Sequence, residues 1–167
     1  MTPPTETLLD LFEKNGFFTL GIDKICDLFG HRGLSDEIHT HNNEGGVDRP
    51  LQAMQNYHGK KGLIFVNLVD FYMVYRHRRD VARCARSLEA FDRRIPEVLH
   101  AMSNKDLLII TADHGCDPSY QVHNDHTIEY VPLLVYGKEI KNGVNLGIRQ
   151  TFTDCGQTIA DFWMRAN

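Results

Sequence analysis

The amino-acid sequence predicts an α/β protein in which a largely parallel sheet is flanked by helices. Apolar runs of strand length, such as residues 63–69, alternate along the chain with segments of helical periodicity, such as residues 81–102. A near-continuous apolar run is typical of a strand that is buried on both faces, as in a parallel sheet. Alternating strands and helices favour parallel pairing with right-handed crossovers. We therefore expect residues 1–167 to form a single α/β domain.

The first predicted elements are a helix, a turn and a short strand. Thr5 follows two prolines and is a good N-cap, an apolar stripe comes after it, and Asn15-Gly16 ends the helix. Residues 17–22 form the strand. Residues 30–50 contain four glycines and three histidines with little apolar periodicity, which predicts a loop.

The rest of the chain predicts three buried strands and three helices. The strands are residues 63–69, 106–111 and 131–136, and the helices are residues 52–57, 81–102 and 153–164. Pro96 lies inside the second of these helices and predicts a kink. Ligands of open α/β sheets bind beyond the carboxyl ends of the strands, and the densest polar clusters of this chain follow two of its most apolar strands.

The composition excludes several classes of protein. Lys and Arg total 18 and Asp and Glu total 22, and the net charge of −4 argues against nucleic acid or an anionic membrane as the main partner. No apolar run approaches the ~20 residues that span a bilayer, and no secretory signal is visible, so we expect a cytoplasmic protein. The four cysteines are widely spaced, which predicts reduced thiols. The nine histidines raise the question of a metal site, because imidazole is the commonest metal ligand.

A candidate metal site follows the strand predicted at residues 106–111. Asp113-His114-Gly115 comes directly after it, and His126 lies twelve residues beyond His114. Carboxylate and neutral imidazole at a strand end suit Zn²⁺, Mn²⁺ or iron. Neighbouring side chains diverge, so Asp113 and His114 could serve two metals about 4 Å apart. We take Asp113, His114 and His126 as candidate ligands.

Other polar residues carry weaker signals. His77 lies among arginines and fits either a ligand or a solvated histidine, and Lys24 fits either a phosphate-holding point charge or a surface lysine. The arginines beside Asp80 fit a phosphate contact, but a charge run of this kind is more typical of a solvated face. We expect surface or loop roles for the remaining histidines, which are His31, His39, His41, His58, His100 and His123.

These motifs resemble those of the phosphopentomutase family, within the alkaline-phosphatase-like superfamily of metalloenzymes. The resemblance extends from about Thr5 to Trp163. The matching segments are Gly21-Ile22-Asp23-Lys24-Ile25, Val66-Asn67-Leu68-Val69-Asp70-Phe71, His77-Arg78-Arg79-Asp80, Ile109-Ile110-Thr111-Ala112-Asp113-His114-Gly115-Cys116-Asp117-Pro118, Asp125-His126-Thr127 and Glu129-Tyr130-Val131-Pro132-Leu133. The superfamily shares the Asp-His pair but not the flanking residues, so the resemblance is specific.

The resemblance implies a metalloenzyme, usually with two Mn²⁺ ions, that interconverts the 1-phosphates and 5-phosphates of ribose and deoxyribose. The family works through a phosphorylated threonine and a sugar bisphosphate. By this analogy Asp113 and His114 are ligands of one metal. His77 and His126 are ligands of the other, and Lys24 holds the phosphate of the sugar. The implied partner is a small sugar phosphate, with neither nucleic acid nor a membrane involved.

The sequence departs from the family in two respects. Family members are more than twice as long, and their first metal-binding aspartate, nucleophilic threonine and substrate-covering cap have no match here, so we assign no catalytic nucleophile. Tyr72 occupies a position where the family has a metal-binding aspartate, and Asp70 would lie ~6.5–7 Å away along an extended strand. We therefore expect an incomplete alkaline-phosphatase-like core that is inactive alone and self-associates through an exposed apolar sheet edge. The alternatives are a residual metal-dependent phosphatase of small phosphate esters and a noncatalytic fragment that needs a partner.

Overall fold

Helices and strands alternate along most of the chain, as predicted. The computed structural model describes residues 3–40, 43–68, 80–117, 119–120 and 126–165. The helices are α1 (Leu8–Lys14), α2 (Ile25–Leu28), α3 (Asn43–Asn56), α4 (Val81–Ala101) and α5 (Thr153–Arg165). The strands are β1 (Phe18–Ile22), β2 (Asp36–Ile38), β3 (Gly62–Val66), β4 (Leu108–Thr111) and β5 (Leu133–Tyr136).

The first three strands form a parallel sheet in the order β2-β1-β3. In its register Gly21 lies opposite Glu37 on β2 and Phe65 on β3. The predicted α/β class with a parallel sheet is thus confirmed. The pairing of β4 with β5 differs from the prediction, because these strands are antiparallel and form a separate two-stranded sheet. Parallel pairing needs a crossover, and between β4 and β5 the described residues contain no helix.

The core of the first sheet lies between β1 and the helices that cover it. Leu20 and Ile22 of β1 pack with Ala53 of α3, and all three are buried. Partly buried side chains surround them; these are Phe18, Ile38, Tyr57, Ile64 and Val66. Leu9 and Phe12 of α1, which packs against β1, are also fully buried. Strand β1 is thus closely packed, and Asp23 and Lys24 come directly after its carboxyl end.

The start of α1 shows which threonine caps the first helix. Thr7, not Thr5, is the N-cap, and its hydroxyl accepts a hydrogen bond from the Asp10 backbone N–H. The Asp10 carboxylate accepts in return from the Thr7 N–H at 2.7 Å, which completes a capping box. The prediction of Thr5 was wrong because only Thr7 has a carboxylate three residues later.

Residues 30–50 contain regular structure, so the predicted loop was wrong in part. Strand β2 and the first half of α3 both lie in this range. The glycines that suggested a loop include Gly46, which is a buried residue of α3. A Cβ at this position would lie only 2.6 Å from Leu68 Cδ2, so there is no room for a side chain. Here close packing selects glycine inside a helix, against its low helical propensity. Pro50 is likewise accommodated within α3.

Several apolar surfaces are less buried than the sequence predicts. Strand β3 is an edge strand whose residues are partly exposed, and Phe65 retains 37% of its accessible surface. Among the described residues of α4 none is buried, and Leu88 is 54% exposed. Helix α4 is continuous through Pro96, and the kink expected there stays a prediction. In the part of the chain that the structure describes, no helix is both long and apolar enough to cross a membrane.

Candidate metal centre

The polar segment after β4 is folded back against the segment that leads to β5. Beyond the ladder of β4 and β5, Gly115 and Thr127 form an isolated antiparallel pair, in which the Thr127 N–H donates to the Gly115 carbonyl at 3.1 Å. The Asp117 N–H donates to Thr127 Oγ1 at 2.8 Å. These two hydrogen bonds bring residues on either side of the turn together although they are distant in sequence.

The pairing places His114 against His126. Their rings are stacked, with centroids 3.6 Å apart and planes within 9° of parallel. Asp113 Oδ1 lies 3.6 Å from His114 Nε2. His114 Nδ1 lies 2.8 Å from the carbonyl oxygen of Gly115, an acceptor, so this nitrogen carries the proton and Nε2 is left with a lone pair in the neutral ring.

Gly115 is required for this approach. A Cβ at this position would lie 2.7 Å from the Thr127 carbonyl oxygen and 2.9 Å from the Glu129 backbone nitrogen. It would also lie 2.5 Å from the Glu129 carboxylate, which therefore sits close to the same turn. Any larger residue would push apart the two segments that carry the histidines.

The turn that follows is stabilised by its own side chains. The Ser119 hydroxyl and N–H donate to Asp117 Oδ1 at 2.6 and 2.8 Å. These hydrogen bonds hold the pKa of the Asp117 carboxyl below its usual value. Asp117 is thereby engaged as a structural acceptor at the base of the turn.

The side chains of this turn are of types that bind divalent cations. They are the Asp113 carboxylate, which is 69% exposed, and the imidazole rings of His114 and His126. The proton on His114 Nδ1 is held by a backbone carbonyl, as it is in many metal-ligating histidines, and this orients Nε2 for a ligand role. Oxygen and imidazole donors of this kind suit Zn²⁺, Mn²⁺ or iron.

The other predicted site residues lie elsewhere or outside the described residues. Lys24 is exposed directly after β1, where the buried Asp23, with a positive φ of 62°, accepts hydrogen bonds from the Thr40 N–H and hydroxyl at 2.6 and 2.7 Å. This arrangement fixes the backbone from which Lys24 projects. Residues Asp70, Tyr72, Arg76, His77, Arg78 and Arg79 lie outside the described residues.

A second cluster was missed by the sequence analysis. Cys26, Glu37 and His39 each offer a ligand atom, and these atoms lie within 4.8 Å of one another. His31 also has a partner, since its Nδ1 lies 2.8 Å from Glu37. His31 and His39 are both exposed, as expected of surface histidines, and what the sequence did not predict is their proximity to Glu37. The spacing Glu37-x-His39 is a signal for two side chains on one face of a strand, but it is recognisable only once β2 is known.

The cysteines agree with the prediction of reduced thiols. None of Cys26, Cys84, Cys116 and Cys155, all within the described residues, forms a disulfide. Burial raises the pKa of the Cys26 thiol, and the negative charge of Glu37 raises it further.

Comparison with known proteins identifies the family. A model of the family described as the metalloenzyme superfamily matches residues 26–166. The chain belongs to the metalloenzyme superfamily. This membership and the clustered metal-ligating side chains indicate a metal cofactor.

The chain is also similar to curated phosphopentomutases, which confirms the resemblance inferred from its motifs. It is 51% identical to the phosphopentomutase of Acetivibrio thermocellus over 162 residues, which cover 97% of this chain and 41% of the relative. It is 47% identical to the phosphopentomutases of Clostridium novyi and of Caldanaerobacter subterraneus subsp. tengcongensis. Each of these alignments covers 98% of this chain and 41% of the relative. The chain thus spans about two fifths of the length of these relatives.

Proposed function

We propose that this chain carries part of the metal-binding and substrate-binding machinery of a phosphopentomutase. The reaction would be the interconversion of the 1-phosphates and 5-phosphates of ribose and deoxyribose. The observation that carries the proposal is the stacking of His114 on His126 beside Asp113, in a chain that is 51% identical to a phosphopentomutase. In this reaction class bound cations neutralise charge on the phosphoryl group in transit.

The proposed metal is Mn²⁺, bound as two ions. Asp113 and His114 are proposed ligands of one ion, and His126 and His77, the latter outside the described residues, are proposed ligands of the other. Carboxylate and imidazole are donors that Mn²⁺ accepts. His114 Nδ1 faces the Gly115 carbonyl oxygen, so Nε2 lies on the side of the ring where Asp113 lies. We propose that the whole chain folds as one α/β domain around this centre.

The proposed role of Lys24 is to hold the phosphate of the sugar. It projects from the carboxyl end of β1, the position at which α/β sheets bind ligands. A compact ammonium group binds phosphate as a point charge. Within residues 1–167 we assign no threonine as the nucleophile, and we expect the chain alone not to turn over ribose 1-phosphate. Turnover by the purified chain would contradict this expectation and would favour a metal-dependent phosphatase if the product were inorganic phosphate.

Calorimetric titration with Mn²⁺ tests the proposed ligands. We expect Asp113→Asn and His126→Ala each to weaken Mn²⁺ binding by at least tenfold, because each removes one ligand. Asp92→Asn and His58→Ala are matched controls at exposed positions and should bind Mn²⁺ like the wild type. Wild-type chain that binds no Mn²⁺ at millimolar concentration, or site variants that bind it unchanged, would refute the assignment.

Titration of the Mn²⁺-loaded chain with ribose 5-phosphate tests the role of Lys24. We expect Lys24→Ala to weaken binding of the sugar phosphate while Mn²⁺ binding stays unchanged. Lys105→Ala removes an exposed lysine next to the other sheet and should have no effect. Equal affinities in both variants would exclude Lys24 as the phosphate contact.

We propose that the chain self-associates through its exposed apolar strands. Phe65 of β3 is 37% exposed, and Leu134 of β5 is 61% exposed. Edge strands with apolar side chains pair readily with other chains. Light scattering tests this proposal, since a monodisperse monomer at micromolar concentration would contradict it.

A further inference from the structure

A compact group of thiol, carboxylate and imidazole lies beside the first sheet, on different elements from the turn at His114. Cys26 belongs to α2 and is buried, Glu37 belongs to β2 and is half-buried, and His39 follows β2 and is exposed. Their ligand atoms lie within 4.8 Å of one another. Among the residues that the structure describes, this is the one group of three metal-ligating side chains whose ligand atoms lie that close together.

The pairing of β1 with β2 brings these three side chains together. In the parallel register of β1 and β2, Glu37 lies opposite Gly21, and the Gly21 carbonyl accepts the Cys26 S–H at 3.6 Å. A Cβ on Gly21 would lie 3.2 Å from Cys26 Sγ and 2.9 Å from Leu34 Cδ1, so glycine leaves room for the sulfur. Glu37 and His39 are two residues apart in an extended segment, which puts their side chains on the same side.

A fourth residue positions the carboxylate. His31 Nδ1 lies 2.8 Å from both Oε1 and Oε2 of Glu37. His31 has a positive φ of 61°, which is rare for a residue with a side chain, so its backbone is held in an uncommon conformation at this point. Hydrogen bonds of this kind orient ligating side chains in metal sites, and their loss weakens metal binding.

We propose that Cys26, Glu37 and His39 form a second metal site, selective for Zn²⁺ or Co²⁺ over Mn²⁺. Three protein ligands and one open position are typical of zinc centres that bind water or an exogenous ligand. The thiolate is a soft donor that Mn²⁺ and Mg²⁺ disfavour. When the metal binds, the Cys26 thiol releases its proton to solvent and the S–H···O contact with Gly21 is replaced by a sulfur–metal bond.

The site needs only a modest contraction. Ligand bonds of about 2.0–2.3 Å place the donors of a tetrahedral centre roughly 3.5 Å apart. The donors must therefore approach one another by up to about 1.3 Å. The side chains of Glu37 and His39 are not fully buried and can supply this movement. The bound metal would tie α2 to β2 close to Lys24.

Cobalt spectroscopy on the full chain tests the proposal. Titration with CoCl₂ should produce the near-ultraviolet charge-transfer band of a thiolate–Co²⁺ bond, and ZnCl₂ should displace it. Cys26→Ser should abolish the band, and His39→Ala should weaken Co²⁺ binding by at least tenfold. His31→Gln, which leaves all three ligands in place, should weaken it by about 10- to 100-fold. Cys84→Ser, Cys116→Ser and Cys155→Ser are controls that should leave the band unchanged.

Two results would overturn the proposal. One is a wild-type chain that gives no thiolate band at stoichiometric Co²⁺. The other is a band that survives Cys26→Ser and is lost in a control cysteine variant. Because Cys26 is buried, His39→Ala, at an exposed position, tests the site without disturbing the core. An Asp113→Asn/His126→Ala double variant should keep the cobalt band while losing Mn²⁺, so the two metal sites can fail independently.

Discussion

The close approach at Gly115 makes Gly115→Ala a sensitive test of how the candidate metal centre is assembled. The added Cβ would lie 2.7 Å from the Thr127 carbonyl oxygen and 2.9 Å from the Glu129 nitrogen, whereas ordinary contact begins at 3.4 Å. The Glu129 carboxylate can swing away because it is the end of a flexible side chain. The two backbone atoms cannot, so the segments must separate by about 0.7 Å at Thr127.

This displacement exceeds what a metal site tolerates. Ligand distances must be met to within about 0.2 Å. A separation of the two segments moves His126 away from His114 and weakens the Thr127-to-Gly115 hydrogen bond of 3.1 Å. We expect Mn²⁺ affinity to fall by about 10- to 100-fold, comparable with the loss of an orienting contact. We expect a loss of stability of about 1–3 kcal/mol, as for other overpacked sites.

Calorimetric Mn²⁺ titration and urea unfolding measure the two effects. Gly156→Ala is the matched control, because it makes the same substitution in α5 where no atom lies within 4 Å of the added Cβ. It should leave Mn²⁺ affinity unchanged and raise stability by up to about 1 kcal/mol through helix propensity. If Gly115→Ala bound Mn²⁺ as tightly as the wild type, the pairing of Gly115 with Thr127 would not position the ligands.

Three further predictions concern the stability of α1 and can be checked by denaturant unfolding. The Arg32 guanidinium, bonded to both Asp10 oxygens at 2.9 and 2.6 Å, is the main cause that holds the pKa of Asp10 well below its ordinary value of 3.8. The ion pair therefore stabilises the folded chain above about pH 4, and this stabilisation is lost as the pH falls towards the folded-state pKa of Asp10. Asp10→Asn should lower the free energy of unfolding by about 1–3 kcal/mol at pH 7 and should flatten its decrease at acid pH, the acid limb of the stability curve. An unchanged acid limb would refute the role of this pair. Phe12→Ala, at a fully buried position, should cost about 3–5 kcal/mol, and a cost under 1 kcal/mol would mean that α1 is not packed as described. Thr7→Ala removes the capping box and should cost about 1 kcal/mol, whereas Thr5→Ala, outside the cap, should cost little.

Local patterns were sufficient to predict most elements. The helix at Thr153–Arg165 and the strand at Phe18–Ile22 were predicted to within a residue at each end, since periodicity and end signals are local properties. The prediction of a loop at residues 30–50 was wrong in part because glycine occurs both in turns and where a helix packs closely. Gly46 lies inside a helix and packs tightly against Leu68, and no local pattern distinguishes this use of glycine from a turn.

The sequence by itself determined the α/β class, the family resemblance and the identity of the side chains that follow β4. Each of these depends on local patterns or short motifs of neighbouring residues. Only the tertiary structure decided that β5 runs antiparallel to β4 and so brings His126 onto His114. Only the register of β1 and β2 gathers Cys26, Glu37 and His39 into one group. Contacts between residues distant in the chain depend on strand direction, register and close backbone approach, and these are set by packing of the whole sheet rather than by any local motif.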